Sequence, residues 1–178
     1  MKGVECVIKI RPERQEDIAK IDEVVHGAFG RSNEARLVEL IRNSENFIPG
    51  LSLVAENEND EIVGHILFSK ITIESAESKH TTVGLAPMAV KPGFQGQGIG
   101  SELVREGLNR CTHEGFTHAV VLGHPQFYPK FGFLPSVRFN IESPFPVPED
   151  VFMAVELEEG SLTNIQGRVK YPPAFGQV

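Results

Sequence analysis

Residues 95 to 100, Gln-Gly-Gln-Gly-Ile-Gly, form a stretch so bare of side chains that backbone N–H groups are its main chemical functionality. A loop of this kind running into a helix presents amides that have no intrahelical acceptor. With the helix dipole they make a seat for an anion, and glycines let that anion come close. Two phosphate devices are excluded by the residues downstream. No Lys-Ser or Lys-Thr stands after the last glycine to meet a terminal phosphate and magnesium, so the stretch is not a P-loop. The spacing is GxGxG, and Glu114 precedes the next strand instead of ending it, so a dinucleotide ribose has no partner. A glycine cluster on its own also serves as a plain tight turn, and its context decides between the two uses. Tyr128 and His124, further along the chain, are candidates for moving protons. A phenol can donate, and an imidazole titrates near neutrality.

Other chemistry-bearing residues have simpler readings. His65 sits in a strand pattern and reads as a hydrogen-bonded core residue. Glu34, near a helix start, is favourable charge at the positive end of a dipole. Cys111, His113 and His118 are close in sequence, but Cys111 belongs to the inner face of a helical pattern, so no metal site is expected. Lys91, Arg105 and Lys130 read as ordinary solvated charges.

The elements that must position these residues follow from periodicity. Cys6, Ile8 and Ile10 alternate as in a half-buried strand that Pro12 stops. Ile18, Ile21, Val25, Ala28 and Phe29 mark an amphipathic helix from Asp17 to Phe29, ended by Gly30. Ser32 or Asn33 is expected to cap a second helix whose buried face is Leu37, Val38, Leu40 and Ile41. Pro49 and Gly50 are expected to break the chain before two strands joined by a hairpin turn at Asn57–Asp60. The strand over Thr81–Val90 contains Pro87, which has no N–H to give a neighbour and so calls for a bulge or a local splaying of the sheet. After the glycines, Gly100, Leu103, Val104, Gly107, Leu108 and Cys111 fall on one helical face, and Gly115 is placed as the stop. The apolar run Thr117–Gly123 reads as a buried strand, parallel to the one before the helix. A short helix is expected at 125–131 and a strand at Phe152–Leu157. Between them Glu142–Asp150, with three prolines, reads as a stiff surface connection.

Composition bounds the rest. A chain of 178 residues, 40% hydrophobic, can bury a single core, and residues 1–178 are expected to form one domain with a C-terminal extension over 137–178. A net charge of −7 argues against nucleic acid as a partner. The N-terminal apolar run is interrupted by charges, so neither a signal peptide nor a membrane span is expected, and the protein is expected in the cytoplasm. Cys6 and Cys111 are far apart in sequence and in no CxxC pattern, which suits reduced, packed thiols.

The segment Gln95 to Gly100, with Gln95, Gly98 and Gly100 in the frame Q/R-x-x-G-x-G/A between a strand and a helix, resembles the acetyl-CoA signature of the GCN5-related N-acetyltransferases. Tyr128, Gly132 and Phe133 match that family's later Y-x-x-x-G-F element, and the element order matches across nearly the whole chain. The resemblance implies an α/β fold: a central mixed twisted sheet of about seven strands, helices on both faces, and splayed central strands that open an acetyl-CoA cleft. It implies that pantetheine pairs with the main chain over Met88, Ala89 and Val90, and that pyrophosphate rests on the amides of Gln95, Gly96, Gln97, Gly98, Ile99, Gly100 and Ser101, without a metal. For Lys91, Arg105 and Lys130 it implies a contact with a ribose phosphate, beside their reading as solvated charges. It implies direct acetyl transfer to a primary amine of a small molecule or peptide, with Tyr128 at the cofactor as general acid. His124 stands where relatives often carry an acidic residue, so it is a candidate base or a shaper of the acceptor pocket. A non-catalytic acyl-CoA sensor and an interaction module are the other classes. Phe145, Pro146 and Val147 fit either a lid over the acceptor or a homodimer contact.

Overall fold

The computed structural model describes residues 7–178, so the strand position expected for Cys6 lies outside the described residues. The described residues begin with β1 (Lys9–Pro12) and a short 3-10 turn, Gln15–Asp17. Two helices follow: α1 (Ile18–Phe29), stopped by Gly30 in the left-handed region at φ 67°, and α2 (Asn33–Arg42). Ser32 occupies the N-cap of α2, but its side chain makes no capping hydrogen bond. Strands β2 (Phe47–Glu56), β3 (Ile62–Glu74) and β4 (Lys79–Val90) form an antiparallel meander. Helix α3 (Ile99–His113) crosses back to β5 (His118–Leu122), which pairs parallel to β4. The chain ends with β6 (Leu134–Pro135), β7 (Ile141–Glu142), β8 (Phe152–Glu156) and β9 (Gly167–Lys170).

The nine strands of the described residues join one sheet in the order β1-β2-β3-β4-β5-β8-β6, with β9 paired to the far end of β3 and to β7. Apart from the two-residue pieces β6 and β7 these are seven strands, the number expected. Two expectations are corrected. Pro49 and Gly50 do not break the chain. They lie within β2 where the register jumps between Phe47↔Ser69 and Ser52↔Leu67, so the missing proline N–H falls where no ladder bond is required. The helix expected at 125–131 is a 3-10 turn, Tyr128–Phe131, which Gly132 ends at φ 98°.

Alternating side chains divide the core between the two faces of the sheet. On one face α3 lays Leu103, Val104, Leu108 and Cys111 against Leu53, Ile66, Phe68, Val83 and Val121. On the other, α1 and α2 pack Ile21, Val25, Val38 and Ile41 against Val54, Leu67 and Ala89. Beyond α1 and α2 that second face is covered by the C-terminal segments, which pack Ile141, Leu162 and Val169 against Ile71, Ile73 and Val120. Arg11 ties the N-terminal turn to the sheet through Asp17 at 2.7 Å and Glu56 at 2.6 Å. Its guanidinium holds both carboxyls below their ordinary range. No helix among the described residues is long and apolar enough to cross a membrane.

Candidate active site

The parallel pairing of β4 with β5 is brief. Val83, Gly84 and Leu85 face Ala119, Val120 and Val121, after which β4 runs on to Val90 without that neighbour. The departure begins at Pro87. On the other side of β4 the register steps from Phe68↔Leu85 to Ile66↔Met88, so Ala86 and Pro87 together oppose Leu67, the bulge expected from a proline within the strand. Past the bulge the backbone direction is fixed by one bond, from Lys91 N–H to Val63 O at 2.8 Å. Alternate residues of an antiparallel ladder turn their polar groups to opposite sides. Ala89 therefore faces β3, while the N–H and C=O groups of Met88 and Val90 face the gap that β5 has left.

That gap leads into the glycine loop. Gly93, Gly96 and Gly98 hold φ values of 94°, 77° and 85°, which residues with a Cβ rarely adopt, and nothing lies within 4 Å of where a Cβ would stand on any of them. Backbone bonding in the loop consists of Phe94 N–H to Lys91 O at 2.9 Å and Glu102 N–H to Gly98 O at 3.1 Å. Among the described residues the amides from Gln95 to Ser101 have no hydrogen-bond acceptor. They lead directly into the N-terminus of α3, where oriented N–H groups and the helix dipole give a positive field without any cation.

A cavity of about 400 Å³ lies against these amides and the free side of β4. Of the residues expected at a cofactor site, Met88, Val90, Gln95, Gly96, Gly98, Ile99, Gly100 and Ser101 line it. Ala89, Gln97 and Tyr128 do not: Ala89 packs on the opposite face of the sheet, and the Gln97 side chain turns back to Gly93 O at 3.5 Å. Phe94, Phe127 and Lys130 line it as well. The sequence singles out neither phenylalanine, because an aromatic residue in a loop carries no period to read.

The three nearby cations are used differently. Lys91 is engaged with Glu61 at 2.6 Å. Lys130 places its ammonium 4.3 Å from the centre of the Phe127 ring and 5.2 Å from that of Phe131, and the Arg105 guanidinium lies 5.3 Å from the Phe131 ring centre. Neither Lys130 nor Arg105 has a carboxylate partner among the described residues. The positive charge of Lys130 is thus held at the cavity wall by aromatic faces.

Tyr128 is buried just behind the cavity. Its ring meets Phe127 and Phe133 edge-on, at centroid distances of 5.0 and 5.7 Å, and packs so tightly on the β5 terminus that a Cβ on Gly123 would collide with it. Burial pushes its pKa up to about 12, so the phenol keeps its proton at neutral pH. His124 is exposed. Its carbonyl accepts the N–H of Phe127 at 3.1 Å and of Tyr128 at 3.3 Å, so its main chain builds the turn that presents the tyrosine.

The remaining titratable candidates are structural. His65 is fully buried, its Nε2 is 2.9 Å from Ser52 Oγ, and that hydroxyl bonds Glu13, which in turn pairs with Arg42. Burial, with a contribution from the Arg42 charge, pushes His65 down to about 3. Glu34 pairs with Arg31. Cys111 is buried, with its thiol pushed up to about 12, while His113 turns to Asn109 O and His118 to Thr82 Oγ1. Among the described residues no group of three or more His, Cys, Asp or Glu is placed to hold a metal ion.

Comparison with known proteins agrees with this geometry. Residues 18–133 match the Acetyltransferase (GNAT) family. The chain is 31% identical over 168 residues to the uncharacterized N-acetyltransferase YhbS of Escherichia coli, covering 94% of this chain and 98% of that one. The crystal structure of that YhbS in complex with CoA superposes with a TM-score of 0.86 at 28% identity, over 99% of this chain and 95% of that one. A GNAT family acetyltransferase from Brucella melitensis, solved in complex with acetyl-CoA, superposes with a TM-score of 0.77 at 31% identity, over 95% and 98% of the two chains.

Proposed function

The chain belongs to the GNAT family of acetyltransferases, and on that premise we propose that it moves the acetyl group of acetyl-CoA directly to a primary amine of a small molecule or peptide. The observation that carries this reading is the run of unbonded amides from Gln95 to Ser101 at the end of a strand whose Met88 and Val90 backbone groups face an open gap. A pyrophosphate fits the first and an extended amide-bearing arm fits the second, and the cavity they share is continuous. Relatives solved with CoA and with acetyl-CoA support the same ligand here.

The cosubstrate supplies an activated thioester, and the chain supplies its placement. The amides of Gln95 to Ser101 hold the diphosphate, with Lys130 adding charge at the cavity wall. Phe94 and Phe127 exclude water from the arm. The Met88 N–H, on the free side of β4, is a donor for charge that gathers on the thioester oxygen. Tyr128, protonated and beside Gly123, is the proton source for the departing thiolate. His124, exposed and within the same turn, is the candidate acceptor of the amine proton.

Calorimetry with acetyl-CoA, with and without EDTA, together with thiol release against a panel of amines, tests the reading. Metal-independent binding and amine-dependent CoA release are expected. Binding with no release for any amine class would favour a sensor, and absence of binding would overturn the assignment.

A further inference from the structure

Three aromatic rings outside the part of the chain that matches the family, residues 18–133, gather on the sheet face opposite α3. Phe145 stacks on Tyr171 at a centroid distance of 5.4 Å and an interplanar angle of 29°, and Tyr171 meets Phe175 at 4.6 Å. Prolines hold them there. Phe145 lies between Pro144 and Pro146, and Pro172 separates Tyr171 from the turn Pro173–Gly176 that carries Phe175. Pairing of β9 with Thr72–Glu74 of β3 brings Tyr171 onto the sheet, and Ala174 anchors the following turn in the core beneath α1 and α2.

The ring of Tyr171 lies over Gly84, where a Cβ would come within 3.5 Å of its Cε1. Gly84 pairs with Val120, and the next pair, Leu85 with Val121, is the last before β4 and β5 separate. The aromatic cluster therefore ends one residue, about 3.4 Å along the strand, from the opening of the acetyl-CoA gap. It walls a cavity of about 530 Å³, within the range of small-molecule sites. The charged residues at this cavity are Glu74, Arg168 and Lys170, and Arg168 is paired with Glu142 at 3.1 Å, so positive and negative charge balance there.

We infer that this cavity receives the body of the acceptor, and that the acceptor is a primary amine attached to an aromatic or bulky apolar group. The inference rests on the acetyltransferase reading above. An apolar body gains contact with three ring faces, and its amine is directed along β4 toward the gap. A polyamine fits poorly. Its second ammonium would give up water against three aromatic rings, and the one carboxylate that lines the cavity, Glu74, already stands among Arg168 and Lys170.

The test compares kcat/KM for phenethylamine, ethanolamine, spermidine and a lysine-containing peptide in the wild type and in Phe145→Ala and Phe175→Ala, with saturation-transfer NMR of phenethylamine on the intact protein as a readout that needs no turnover. Phenethylamine is expected to be the best of the four. Each variant should raise its KM by about three- to tenfold, the range of one aromatic contact, with kcat and acetyl-CoA affinity little changed. Saturation transfer to the phenethylamine ring should weaken in both variants. A preference for spermidine or the peptide, or equal losses for all amines, overturns the inference and leaves the acetyltransferase reading standing. Ring saturation that persists unchanged in both variants overturns it as well. If the protein binds phenethylamine but not acetyl-CoA, the cavity assignment holds and the enzymatic reading fails.

Discussion

The Gln95 side chain reaches back to the Val90 carbonyl, Nε2 to O at 3.0 Å, and so fastens the glycine loop to the last residue of the splayed strand. The carbonyl it occupies faces the gap, so one of the two main-chain polar groups expected to meet pantetheine at this residue is already engaged, and the Val90 N–H remains. The bond sets where the loop amides stand relative to β4.

From this relationship Gln95→Ala should weaken acetyl-CoA binding by about two- to tenfold, the worth of one hydrogen bond of about 0.5–1.5 kcal/mol, without altering the melting temperature appreciably. Gln95→Glu should be worse than alanine, because a carboxylate cannot donate to the Val90 carbonyl and repels the diphosphate. Calorimetry on the two variants ranks them, and a glutamate variant that binds as well as alanine would remove the loop fastening as an explanation.

Tyr128 makes a separate prediction. Its phenol is held neutral by burial, with a pKa near 12, so it can donate a proton throughout the physiological range and should leave no alkaline limb in kcat below about pH 11. Tyr128→Phe keeps the ring on Gly123 and removes only the donor. Turnover should fall by about 10², the low end for general acid–base groups, with acetyl-CoA affinity nearly unchanged. Wild-type turnover under chemistry-limited conditions would reduce Tyr128 to a packing residue.

The elements around these residues were legible because their signals are local. Pro87 announced the bulge, the loop glycines their positive φ values, and the α3 stripe its inner face. Pro49 misled because the sequence does not show that the register across β2 and β3 jumps at that point and asks nothing of a proline N–H. The candidate site was legible in its backbone part, since amides come with every residue type. Its side-chain walls were less so. Phe94 and Phe127 meet across the cavity through the fold, and Tyr171 reaches Gly84 only because β9 pairs with β3 more than ninety residues away in sequence.

His65 ties stability to pH. In the folded chain it stays neutral down to about pH 3, whereas an unfolded histidine takes up its proton near pH 6.5. Between those values the unfolded state binds more protons, so stability is full above about pH 6.5 and falls as pH falls toward 3, at up to about 1.4 kcal/mol per pH unit. His118, pushed down by burial and by His80, acts in the same direction. Carboxyls such as Asp17 and Glu56, held low by Arg11, add their own losses only at more acidic pH. Urea midpoints between pH 5 and 7 should therefore fall with acidity in the wild type and change less in His65→Gln. Equal slopes in the two proteins would show that His65 gains a proton in the folded state.

The glycines of the loop separate backbone conformation from cleft volume. Gly98 has open space around it but a φ of 85°, so Gly98→Ala should destabilise the loop by about 1–2 kcal/mol even though it meets nothing. Gly100 is the converse. It lies in the first turn of α3 with no positive φ, and a Cβ there would stand 3.4 Å from Met88 Cε and 3.8 Å from Phe127 Cζ, ordinary contact distances at the wall of the cavity. Gly100→Ala should be tolerated and raise stability by about 0.5–1 kcal/mol, as alanine does in a helix. Gly100→Leu should keep the fold and fill the cleft, lowering acetyl-CoA affinity at least tenfold. Thermal melts and calorimetry on the three variants decide the matter together. If Gly100→Leu melts like the wild type and still binds acetyl-CoA at wild-type affinity, the cavity between Met88, Phe127 and the α3 N-terminus is not where the cosubstrate lies.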